Sequence, residues 1–175
     1  MFIPLVLALA LAGCVLPPVN RDQGIPLGPV ATIEPARYAG LWYEIARFEN
    51  SFERNCYAVT AEYRLRDDER IDVINTCREG AVDGPAEVAR GVARIVDAQT
   101  NARLKVRFGW SPIEGDYWVL DRAEDYSWSL VGEPRGRFLW ILAREPRIPD
   151  ELRQDLLRRL QARGYRTDAL HWTQH

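Results

Sequence analysis

Between residues 41 and 144 the chain breaks into eight short runs: LWYEIARF, CYAVTAEYRLR, RIDVINTC, EVARGVARIVD, RLKVRFGW, DYWVLDR, YSWSLVG and RFLWILAR. The clearest, RLKVRFGW, sets Leu104, Val106, Phe108 and Trp110 on one face and Arg103, Lys105 and Arg107 on the other. Side chains alternate across a strand, so a run of this kind buries one face and wets the other. Eight such runs at short, regular spacing predict an all-β fold, an antiparallel sandwich or barrel. The period then changes. In IPDELRQDLLRRLQARGY, Leu152, Leu156 and Leu160 recur every four residues, Asp150 follows Pro149, and Gly164 stands where a C-terminal cap belongs. These features mark a helix. ALHW near the end is a candidate short strand.

A chain of 175 residues with 47% hydrophobic and 27% charged side chains has the size and balance of one soluble domain. Net charge is −2, and its arginines are interleaved with acids, which leaves nucleic-acid binding without electrostatic support. The first twenty residues carry one charge-free apolar run, Phe2 to Ala12, ending in Leu11-Ala12-Gly13-Cys14. Small residues before a Cys resemble the bacterial lipobox, which implies a cleaved signal peptide over 1–13 and a lipid on Cys14. Pro17 and Pro18 stop the run too early for a membrane-spanning helix. Residues 14–34, rich in Pro and Gly, read as a flexible tether, and residues 35–175 as the folded domain.

The strand series opens with Gly40-Leu41-Trp42-Tyr43. Asp121 to Tyr126 lies between the sixth and seventh runs, and Arg144 ends the eighth. These three signatures, in this order, resemble the lipocalins. The wording WYEIARF, DYWVLD, YSWSLVG and LWILAREP is most similar to the bacterial outer-membrane lipoprotein lipocalins and their apolipoprotein D-like relatives. The resemblance implies an eight-stranded up-and-down barrel with the helix packed outside. It implies that Trp42 plugs the closed end and that Arg144 stacks across it, so both are structural. It also implies an apolar ligand, a fatty acid or lysophospholipid, and a place at the outer membrane facing the periplasm.

Counting alternation outward from Trp42 places Glu44, Ala46 and Phe48 on the inner face. Residues expected to line the open end are Phe48 and Phe52 from the first strand's exit, then Val106, Phe108 and Trp110, Tyr117 and Val119, and Trp140. Tyr117 and Trp140 combine a wide apolar face with one polar group. Arg54, Arg78 and Arg135 on open-end loops are candidates to meet a ligand's phosphate or carboxylate. Cys56 and Cys77 flank the turn at Asp67 and Asp68 almost symmetrically, which sets them opposite each other. Two readings follow: a disulfide, favoured in an oxidising compartment, or two packed thiols.

Catalysis finds little support. Both histidines, His171 and His175, lie in the last five residues, and no His, Cys and Asp spacing suggests a metal site or a cofactor. Glu44 with Tyr117 is the one imaginable acid–base pair. A lipid-acting enzyme and a scaffold with a filled barrel stand as alternatives to a binder. The sequence leaves room for a homodimer.

Overall fold

The computed structural model describes residues 16–28, 30–109 and 111–175. The lipidation site expected at Cys14 and the ligand residue expected at Trp110 lie outside them. A single helical turn, α1 (Pro35–Tyr38), leads into eight strands: β1 (Gly40–Phe48), β2 (Cys56–Leu65), β3 (Arg70–Glu79), β4 (Ala86–Ile95), β5 (Arg103–Phe108), β6 (Gly115–Arg122), β7 (Trp128–Gly132) and β8 (Leu139–Ala143). Helix α2 (Asp150–Ala162) follows, then β9 (Leu170–Trp172). The sheet order is β2-β3-β4-β5-β6-β7-β8-β1-β9, and β1 also pairs with β2, which closes the ring. All eight expected strands, the helix and the short final strand are present.

Two apolar cores result. One fills the closed end of the barrel around Trp42, Tyr63, Leu104, Val119, Val131 and Leu142. The other lies between the barrel wall and α2, where the fully buried Leu156 and Leu160 meet Phe48, Leu130, Leu139 and Ile141. Asp121 holds the helix from outside, accepting hydrogen bonds from Arg159 at 3.2 Å and pairing with Arg163 at 3.4 Å. The helix stops at Gly164, whose φ of +83° suits a residue without a Cβ.

The expectation for β1 beyond Glu44 is overturned. Glu44 pairs with Leu142, but Ala46 pairs with Ile141, so Ile45 is one residue too many for its partner. Such a bulge reverses the alternation. Trp42 and Glu44 therefore face inward, whereas Ala46 and Phe48 turn out beneath α2, and Arg47 turns in. Phe48 is no cavity residue; its ring packs 6.2 Å from that of Tyr165.

Residues 20–33 also depart from a flexible tether. Asn20 donates to Gly136 O at 2.9 Å, Ala31 to Val119 O at 3.1 Å and Ile33 to Thr100 O at 2.7 Å. Arg21 is buried and bridges to Tyr165. A Cβ on Gly136 would sit 2.3 Å from Arg21 Cβ, so this crossing requires glycine. Composition read as a flexible tether because Pro and Gly are common to coils and to extended straps alike.

Candidate functional site

The closed end shows how the signature residues work. The Arg144 guanidinium carbon lies 3.8 Å from the centre of the Trp42 ring. Its nitrogens donate to the carbonyls of Leu41 (2.6 Å), Arg37 (2.9 Å) and Ala39 (3.0 Å). Trp42 Nε1 donates to Tyr38 O at 2.8 Å. One cation thereby seals the indole face and satisfies carbonyls left over at the end of α1. Tyr126, in a left-handed conformation at φ +63°, is covered by Arg37 and Arg122, each 4.3 Å from its ring centre. Its hydroxyl accepts from Glu34 N at 2.9 Å.

Above this floor is a cavity of about 830 Å³. Val73, Ala93, Leu104, Val106, Val119 and Leu142 supply apolar wall, and Phe52, Phe108, Phe138 and Trp140 supply aromatic wall. Of the expected ligand residues, Phe52, Val106, Phe108, Tyr117, Val119 and Trp140 line it. Phe52 does so from the rim, half exposed, with its ring 5.7 Å from Phe138. Among the expected headgroup residues, Arg135 lines the mouth. Arg54 is exposed on its loop, and Arg78 is committed to Gly84 O at 3.3 Å.

The disulfide joins Cys56 and Cys77, both on the cavity wall. Its Cα atoms are 5.3 Å apart, within the usual range. The two are not directly opposed, however. Cys56 pairs with Glu79, because the hairpin turn is centred later than the acids suggested and β2 carries a bulge between Tyr57 and Thr60. The bond runs diagonally across that bulge.

Two polar clusters in the cavity were foreseen only in part: Glu44 and Tyr117 were expected inside, whereas Glu53, Tyr38 and Tyr63 were not. The first is near the mouth. Glu44 Oε1 accepts from Arg47 Nη1 at 2.8 Å and from Thr173 at 2.5 Å. Arg47 Nη2 reaches Glu53 O at 2.9 Å. The Glu53 carboxyl accepts from Asn50 and from Trp140 Nε1, the latter at 3.2 Å. Burial, reinforced by the charge of Glu44, pushes the Glu53 carboxyl up to about 8. Nothing in the loop sequence Glu49 to Asn55 signals that this acid folds inward.

The second group is at the floor. Tyr117 bonds Tyr38 and Tyr63, each at 2.9 Å, and Tyr38 bonds Ser129 at 3.0 Å. Burial pushes Tyr38 up to about 12 and raises Tyr63 and Tyr117 as well. Tyr63 could have been found: it shares parity with Val59 and Ala61 on β2. Glu44 and Tyr117 thus each have other partners, and the imagined acid–base pair is not assembled. Among the described residues no cluster of His, Cys, Asp and Glu could hold a metal ion.

A model of the lipocalin-like domain matches residues 33–175. The outer membrane lipoprotein Blc of Vibrio cholerae is 38% identical over 160 residues, covering 89% of this chain and 92% of that one. Blc of Escherichia coli K12 is 37% identical over 172 residues, covering 98% and 96%. Among solved structures, insecticyanin from the tobacco hornworm superposes with a TM-score of 0.67 at 19% identity, over 84% of this chain and 83% of its own.

Proposed function

From the premise that this chain belongs to the lipocalin-like family, we propose that it binds one acyl chain, of a fatty acid or lysophospholipid, and holds it for storage or transport at the outer membrane. One observation carries this reading: a cavity of about 830 Å³, apolar along its wall, plugged at one end and open at the other. That volume is in the range of small-molecule sites. It argues against the filled-barrel scaffold. Burying roughly fourteen methylenes at ~0.8 kcal/mol each gives about 11 kcal/mol. Lost translation and chain flexibility offset several kcal/mol of that. An affinity of about −8 kcal/mol, in the micromolar range, is the expected remainder.

The outer-membrane placement rests on the lipobox at Cys14 and on the relatives' names. Two or more acyl chains on one cysteine anchor a protein stably. Incorporation of labelled lipid should be lost in Cys14→Ser.

The binding test is a titration with a fluorescent fatty acid. Saturation at one equivalent, displaced by lysophospholipid without turnover, supports the reading. Trp140→Ala should weaken binding roughly tenfold while circular dichroism stays unchanged. A folded protein that takes up no probe rules the reading out, and hydrolysis or transfer of the probe would favour the enzyme.

A further inference from the structure

Four hydroxyls at the cavity floor form a single chain: Tyr63 to Tyr117, Tyr117 to Tyr38, and Tyr38 to Ser129. Four hydroxyl hydrogens serve three bonds, so one hydrogen is left over, and when all three bonds run the same way it sits at one end of the chain. Were the chain to donate from Tyr63 toward Ser129, the spare hydrogen would sit on Ser129. That side chain is fully buried and finds no other partner among the described residues. An unmet donor there is costly. Donation in the opposite sense puts the spare hydrogen on Tyr63, which lines the cavity. Of the two one-way senses, the second is the stable one. Burial holds Tyr63 and Tyr117 well above the ordinary tyrosine range, so both remain donors.

Beside Tyr63 is an acceptor in the converse situation. Tyr63 pairs with Val73 and Ala61 with Asn75, so Asn75 lies diagonally across from Tyr63 on the inward face of β3. Asn75 lines the same cavity, and its Oδ1 is buried without a hydrogen-bond partner. A hydroxyl with a hydrogen to spare and an acceptor without a donor thus line one cavity from diagonal positions on adjacent strands.

We propose that the ligand bears a hydroxyl group on its most deeply buried end, bonded between the Tyr63 hydroxyl and the Asn75 amide, which makes a terminally hydroxylated acyl chain the preferred ligand class. A hydroxyl both accepts and donates, which a methyl end does neither. The inference rests on the reading that the cavity takes an acyl chain.

The test uses the full chain and displacement of a fluorescent fatty acid by paired competitors. Plain fatty acids from decanoic to octadecanoic are compared with their ω-hydroxy counterparts, so that one length matches the depth of the cavity. At that length the hydroxy acid should bind roughly tenfold tighter. Tyr63→Phe should erase that advantage, read as the ratio of hydroxy to plain acid within the variant. Asn75→Leu should do the same, and keeps the test standing should Tyr63→Phe not fold. Equal affinities along the whole series overturn the proposal; a fixed water between Tyr63 and Asn75 would produce that result. An advantage that survives both variants also overturns it. If no acid of either kind displaces the probe, the acyl reading itself fails and takes this inference with it.

Discussion

Glu53 carries the carboxyl group whose titration is displaced furthest upward among the described residues. Its carboxyl titrates at about 8 in the folded state against 4.5 for a free side chain. The native state therefore binds the extra proton between these values, and stability falls as pH rises through that window. Its contribution is full below pH 4.5 and lost by the time pH passes 8. Glu53→Gln keeps the shape and removes the titration. The variant should gain in melting temperature over the parent above pH 8 and gain little or nothing at pH 4.5; parallel melting curves across that range would show that Glu53 is solvated. At the closed end, Trp42→Ala should cost about 3–5 kcal/mol, as for other buried aromatics. Arg144→Ala should cost less, since its head is partly exposed. With 3.8 Å between guanidinium and ring centre, the two losses should be coupled. Simple additivity in a double-mutant cycle would refute the stacking account.

At the scale of elements, α2 is held chiefly by Leu156 and Leu160, both fully buried against the barrel wall. Leu156→Ala should cost about 2–5 kcal/mol in denaturant unfolding. It should leave ligand affinity nearly unchanged, because the helix core and the cavity lie on opposite faces of the wall. The helix, the strand series and the ring-sealing pair Trp42 and Arg144 were legible in sequence because each depends on local period or on a recognisable motif. Phe48 was misplaced because one extra residue, Ile45, reverses the parity of β1, and nothing in WYEIARF distinguishes a bulged from a regular strand. The Cys56–Cys77 bond was legible in its partners but not in its diagonal geometry, which depends on where the turn falls and on a bulge in β2. Glu53 was illegible for a different reason. Its inward turn is fixed by Asn50, Arg47 and Trp140, which come from a loop and two strands. Tertiary contacts of that kind leave no periodic trace.

At the scale of the whole molecule, the closure of β1 onto β2 has a consequence for behaviour at high concentration. An open sheet ends in two rows of unpaired amides and carbonyls, and such rows recruit other chains into fibrils. Here β1 pairs with β2 and β8 and also takes on β9, so the ring has no seam. Among the described strands, the outer side of β9 is a free edge only three residues long, and the first half of β4, residues 86–90, has a ladder partner on the β3 side only. The folded protein should therefore fail to seed its own aggregation, and the hazard is confined to molecules whose ring has opened. On heating, light scattering should begin only with the loss of the near-ultraviolet circular dichroism signal. Reducing the Cys56–Cys77 bond should bring both onsets down together. Scattering that precedes unfolding would reveal a sticky surface on the intact barrel. A container built without a seam resists polymerisation because of how it is joined, whatever it holds.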